Sequence, residues 1–183
     1  SDEAANGVVG MKDEGVGGPS LPADQRHRWP ELREVVVPIE VAELTAGKDF
    51  LFPGVKGLLH HLRAEGVATA IASNCRSGYF DAVKRGQGLG ELTDWQYCLD
   101  SNGGCNKTEM LQFAMAAART KDAVMVGDRE PDLEAAREAG IPFVWRSNPR
   151  CDLTTASDAV WSGEPAELLH MLGLPGISSP VCE

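Results

Sequence analysis

Val124-Met125-Val126-Gly127-Asp128-Arg129-Glu130-Pro131-Asp132, followed by Leu133-Glu134-Ala135-Ala136, is the stretch on which the fold turns. It reads as a short buried strand, a tight glycine turn, two acids four residues apart and a helix. An apolar run ending in Gly127-Asp128 sets a carboxylate at the carboxyl end of a strand. In an open α/β sheet that edge is where ligands bind. Pro131 suits the start of the helix, where a missing N–H leaves no hydrogen bond unmade. Taken alone, the stretch also reads as an ordinary strand–helix loop carrying surface acids. What decides between the two is whether other strand ends supply partners.

Outward from it, strand and helix signals alternate with short connections. Phe52-Pro53-Gly54 opens a helix with Val55, Leu58, Leu59 and Leu62 on one face, and Gly66 is placed to end it. Val67 to Ala72 follows as a buried strand ending in Ser73-Asn74. Residues 78–85 read as helix, with Gly86, Gly88 and Gly90 breaking the pattern. Trp95 to Leu99 is a strand leading into the loop Asp100 to Cys105. Asn106-Lys107-Thr108-Glu109 is a capping box ahead of an apolar stripe at Leu111, Ala114, Met115 and Ala118. Beyond the opening stretch come strands at 141–145 and 158–161, then a helix from Glu164-Pro165 with Leu168, Leu169 and Leu172 buried. His60 and His61 lie on a helix away from the strand ends and read as solvated. The alternation predicts an α/β fold, an open doubly wound parallel sheet with helices on both faces. Right-handed crossovers then put Ser73, the Asp100 loop and Asp128 on one edge.

The amino-terminal part is less regular. Residues 1–28, rich in Gly, Pro and small polar residues, read as an extended or flexible arm. Within it, residues 7–15 suggest a short strand running into a charged turn. Trp29-Pro30 marks a turn, and Val35-Val36-Val37 reads either as strand or as the buried side of a helix. Pro38 argues against a long uninterrupted helix. The domain is expected over residues 29–174, with a flexible tail over 175–183.

Composition narrows the partners. The 183 residues carry a formal net charge of −10, which repels a phosphate backbone and excludes nucleic acid as a partner. No apolar run approaches the roughly 18 to 20 residues of a membrane span. Five irregularly spaced cysteines point to a reducing intracellular compartment, cytoplasm or organelle matrix, and to incidental thiols. Trp29, Trp95, Trp145 and Trp161 are candidates for an interface, although core packing is the commoner fate of tryptophan.

With these strand ends in place, residues 51–172 resemble the core of the haloacid dehalogenase superfamily, most of whose members are phosphatases. Phe52-Pro53-Gly54-Val55 resembles the lead-in to that family's second motif, and Ala72-Ser73-Asn74 the motif itself. The resemblance implies that Ser73, Asn74 and nearby amides hold phosphoryl oxygens. Lys107 resembles the third motif's lysine, which neutralises phosphate charge. Gly127-Asp128 with Asp132 resembles the fourth motif, whose acids help bind magnesium. Elementary chemistry agrees: phosphate calls for positive charge and aimed donors, and magnesium for carboxylate oxygens.

The first motif departs from the family pattern. There a strand ends in Asp-x-Asp-Gly-Thr, the first Asp attacking phosphorus and the second serving as acid and base. No Asp-x-Asp occurs in the 183 residues. The best alignment sets Val8 to Met11 on the strand, Lys12 in the nucleophile's place and Glu14 in that of the acid/base. An ammonium group about 4 Å from a carboxylate gains on the order of 4 kcal/mol at an effective dielectric near 20, before desolvation. Lys12 is thereby expected to replace magnesium as the counter-charge of Asp128 or Asp132.

The main expectation is therefore a catalytically inactive, pseudophosphatase-like domain without a cofactor. It would act as a binding or structural subunit of a larger assembly, with protein partners and affinity for a phosphate-like anion. The alternative is a magnesium-dependent phosphatase acting on a small phosphorylated metabolite, with Asp13 supplying the carboxylate if the register slips by one. A third reading makes Lys12 itself a base or amine nucleophile. The stretch between Gly15 and Phe52 is too short for a full helical cap, so little or no cap and an open site are expected.

Overall fold

The computed structural model describes residues 22–47, 49–149 and 151–176. The expectations for residues 7–16 and for the last seven residues lie outside them. A 3₁₀ turn, Ala23–Arg28, leads into α1 (Trp29–Thr45). Then follow α2 (Val55–Ala64), β1 (Ala70–Ser73), α3 (Ser77–Gln87), the single turn α4 (Leu89–Leu92) and β2 (Trp95–Cys98). The carboxyl-terminal half is α5 (Lys107–Ala118), β3 (Met125–Gly127), α6 (Glu130–Ala139), β4 (Phe143–Arg146), β5 (Ala159–Trp161) and α7 (Pro165–Met171).

All pairing between these strands is parallel: β1 with β2, and β3 with β4 and β4 with β5. Among the described residues β1 and β3 each pair along one edge only. β4 shows the two-faced winding most clearly. Val144 joins Leu58 and Leu62 of α2, Trp161 of β5 and Leu168 and Leu169 of α7 in one core. Phe143 and Trp145, pointing the other way by strand alternation, join Leu133 and Ala136 of α6 in a second core. Helices therefore cover both faces, as the alternating pattern requires. Trp145 and Trp161 are core residues.

Local chemistry sets the boundaries. Gly66, at φ +73°, ends α2, and the Val67 amide turns back to the Leu62 carbonyl at 2.9 Å. That closure, typical of a left-handed glycine cap, delays the strand to Ala70. Asn106 and Glu109 form the full capping box: the Glu109 amide donates to Asn106 at 2.9 Å, and the Asn106 amide donates to the Glu109 carboxylate at 2.7 Å.

Residues 29–45 correct the sequence reading. α1 runs through Pro38 without interruption. A proline there removes one helical hydrogen bond, which would go to the Glu34 carbonyl, but both Pro38 and Glu34 are exposed and water can satisfy that oxygen. The carboxyl-terminal part of α1 is fastened to α3 by close backbone approach. A Cβ on Gly86 would lie 1.9 Å from the Leu44 carbonyl oxygen. Gly86 is thus a contact glycine inside α3, and Gly88, at φ +69°, ends that helix. Gly86→Ala should therefore be destabilising even though alanine is the better helix former by about 1 kcal/mol. Limited proteolysis should show cleavage within residues 29–45 before the rest of the domain is cut. Wild-type resistance would mean that α1 does not pack at this distance.

Candidate active site

β1 ends at Ser73 and β3 at Gly127, each leading into candidate site residues, and the amino termini of α5 and α6 meet through Lys107 and Asp132. Asp132 is the third residue of α6, where the helix dipole favours a carboxylate. One oxygen, Oδ1, accepts a 2.5 Å hydrogen bond from Lys107 Nζ, and the pair is buried, with side chains 13% and 8% exposed. The other, Oδ2, accepts from the amides of Asp128 at 3.0 Å and Arg129 at 3.1 Å. Asp132 thus shapes the turn after β3 and anchors the lysine. Gly127 makes room for this: a Cβ there would lie 2.5 Å from Asp132 Cβ and 2.6 Å from Oδ2.

Asp128 is placed differently. Its side chain is 49% exposed, with Arg129 Nε 3.6 Å from Oδ2. Asn148, two residues past β4, donates Nδ2 to the Asp128 carbonyl at 2.7 Å. The carboxylate of Asp128 is therefore the one presented to solvent at this edge, while that of Asp132 is turned inward.

At the end of β1, Ser73 Oγ donates to Cys75 Sγ at 3.0 Å, folding the hydroxyl into its own turn. That turn is steadied from β2's side. The Ser77 amide donates to Asp100 Oδ2 at 2.7 Å, and Arg76 Nη1 donates to Asp100 Oδ1 at 2.7 Å. The Ser77 amide first, and then the Arg76 guanidinium, hold the Asp100 carboxyl below the usual carboxylate range. A depressed folded value contributes stability that is present above the unfolded carboxylate value and lost as pH falls through the folded one. The Ser77 amide resonance should accordingly titrate in acid below the ordinary aspartate range, and Asp100→Asn should abolish that titration.

The structure thus brings Lys107, Asp132 and the Asp128 backbone into one hydrogen-bonded unit, while Ser73 and Asn74 stand apart from it at the carboxyl end of β1, in the other sheet. Lys12 and Glu14 lie outside the described residues; within those residues the cation facing Asp132 is Lys107. Sequence reading missed Asn148 and Arg129. Arg129 stands inside the quoted stretch, whereas Asn148 becomes visible only once β4 is known to neighbour β3. Among the described residues, Cys75, Cys98, Cys105 and Cys151 form no disulfide, and burial, ahead of the Glu109 charge, pushes the Cys105 thiol up. No described group of three His, Cys, Asp or Glu side chains stands ready for a metal ion. No helix of the described residues is long and apolar enough to cross a membrane.

Comparison with known proteins agrees with this fold. Residues 12–140 match the model of a haloacid dehalogenase-like hydrolase. A haloacid dehalogenase-like family protein from Streptococcus pneumoniae superposes with a TM-score of 0.75 at 18% identity, covering 94% of this chain and 81% of that one. A predicted phosphoglycolate phosphatase from Haemophilus somnus gives 0.76 at 16% identity, covering 94% and 82%. CbbY from Rhodobacter sphaeroides, solved with phosphate, gives 0.60 at 21% identity, covering 81% and 66%. At these identities the likeness is one of fold. No curated protein matches the chain.

Proposed function

This chain belongs to the haloacid dehalogenase-like hydrolase family, and we propose that the edge carrying Ser73, Lys107 and Asp128 is a magnesium-dependent phosphatase site for a small phosphorylated metabolite. The observation that carries this reading is the Lys107–Asp132 pair. It fixes an ammonium group at a strand-end edge while engaging one of its three N–H donors, leaving two for phosphoryl oxygens. In this reading the Ser73 hydroxyl turns from Cys75 Sγ toward the ligand and, with amides of its turn, supplies neutral donors.

The donor set fits magnesium at one residue and not at the other. Asp128 offers a half-exposed carboxylate of the kind the ion takes, together with water and phosphate oxygens. Asp132 already accepts three hydrogen bonds, so it positions Lys107 and the Asp128 backbone and is not a direct ligand. Bound there, the ion would withdraw charge from the phosphoryl group. Lys107 would orient and neutralise that group, and Ser73 would fix one of its oxygens. The carboxylate nearest the nucleophile's place in the sequence is Asp13.

A second reading, a non-catalytic binding subunit, is favoured by one specific feature: the absence of any Asp-x-Asp, with Lys12 and Glu14 at the corresponding positions. Val35 and Ile39, exposed on α1, are compatible with a protein partner. Hydrolysis of para-nitrophenyl phosphate with and without magnesium separates the two. Magnesium-dependent turnover by the unaltered protein, lost in Asp13→Asn, supports the phosphatase. Turnover gained only by Lys12→Asp combined with Glu14→Asp supports the binding subunit.

A further inference from the structure

We propose that Arg146 is a second anion-binding group of this edge, so that the preferred ligand carries a second anionic group besides its phosphoryl group. The inference rests on the phosphoryl site proposed above and names the substrate class it would take.

Position comes first. β3 and β4 pair Val126 with Val144 and Gly127 with Trp145. One step further, Asp128 and Arg146 leave the two strand ends side by side. Val144 faces the α2–α7 core, and alternation within β4 puts Arg146 on that same face. Arg146 is therefore a strand-end residue on the strand that neighbours the one leading into Asp128.

Charge comes next. The other cations around this edge have acidic partners: Lys107 has Asp132, Arg129 has Asp128 and Arg76 has Asp100. Arg146 forms no ion pair among the described residues, although acids outnumber lysines and arginines by 27 to 17 in the chain. Its Nη1 donates to the neighbouring Ser147 carbonyl, a neutral acceptor. A half-buried guanidinium without a carboxylate partner is unusual in so acidic a chain, and an anion would complete it.

The group is also held in place before any ligand arrives. The Phe52 ring lies against the guanidinium, with 4.6 Å from its centroid to Cζ. Gly163 backs it closely enough that a Cβ there would meet Nη2 at 2.7 Å and Cζ at 3.1 Å. Gly54, two residues after Phe52, packs on Pro165, two residues after Gly163, which holds the two supporting loops together. A planar fork fixed in this way loses little freedom when it binds a carboxylate or phosphate. Phe52 itself is 64% exposed.

Calorimetric titration of the full chain provides the test, with methylphosphonate as the singly anionic probe and phosphonoacetate and 3-phosphonopropionate as carboxylated probes. At least one carboxylated probe should bind roughly tenfold more tightly than methylphosphonate. Arg146→Met should erase that difference while leaving methylphosphonate affinity unchanged. Arg146→Lys, which keeps the charge but not the fork, should retain part of it and serves where Arg146→Met fails to fold. Equal affinities in the unaltered protein, or a difference that survives in Arg146→Met, would overturn the proposal while leaving the phosphoryl site intact. Failure of methylphosphonate itself to bind would remove the phosphoryl site, and this proposal with it.

Discussion

Asp132→Asn should lower the stability of the domain by about 3 to 5 kcal/mol, the range seen when one member of a buried ion pair is removed. The side chain keeps its shape, so the loss is electrostatic. In the native arrangement three donors converge on the carboxylate, Lys107 Nζ and the amides of Asp128 and Arg129. An asparagine offers one oxygen and one NH₂ group, so whichever way it turns, a donor faces a donor. Lys107 is left charged in a largely dry position, 13% exposed. For a chain of this length the fall in Tm would be roughly 6 to 20 °C. The Arg129–Asp128 contact, longer at 3.6 Å and half exposed at the aspartate, supplies an internal control. Asp128→Asn should cost less than about 1 kcal/mol. Urea denaturation measures both. A loss below 1 kcal/mol for Asp132→Asn would mean that the pair is solvated and does not hold the turn. The double change Asp132→Asn with Lys107→Met should recover part of the loss, because it removes the stranded charge.

How much of this was legible in the chain depended on the range over which each feature is determined. The alternation of buried strand and amphipathic helix is local, and the parallel α/β architecture followed from it. The Asn106–Glu109 box spans four residues and appears with both of its hydrogen bonds. α1 was not legible because the sign of Pro38's effect is set elsewhere, by the packing of Leu44 against Gly86 on α3. The strand-end residues were readable one at a time, but their partners were not. Lys107 and Asp132 stand 25 positions apart, and Asn148 reaches Asp128 across neighbouring strands. Arg146 gave no signal in its own sequence context, since its significance comes from Phe52 and Gly163, which only the fold brings to it. The expectation that an ammonium group would face the acids was sound as chemistry. Within the described residues the lysine that does so for Asp132 comes from α5.

Lys107→Met should separate binding from folding in the direction opposite to Asp132→Asn. Methionine keeps most of the apolar stem that fills the site. What it leaves behind is Asp132, which still accepts from two amides and still sits at the positive end of α6. The stability loss should therefore be smaller than that of Asp132→Asn. Affinity for inorganic phosphate should fall much further, because a hydrogen bond to a charged group is worth about 1.5 to 3 kcal/mol. That corresponds to a loss of roughly 10- to 150-fold in binding. Asp132→Asn, by contrast, retains the ammonium group and removes the carboxylate that competes with phosphate for it. Under conditions where that variant is folded, its phosphate affinity should be kept or raised. Calorimetric titration of the two variants beside the unaltered protein gives the comparison directly. If Asp132→Asn loses phosphate as completely as Lys107→Met, the lysine acts only as one half of a structural pair. If the two variants diverge as stated, Lys107 is the group that receives the phosphoryl charge, and Asp132 is the residue that holds it there.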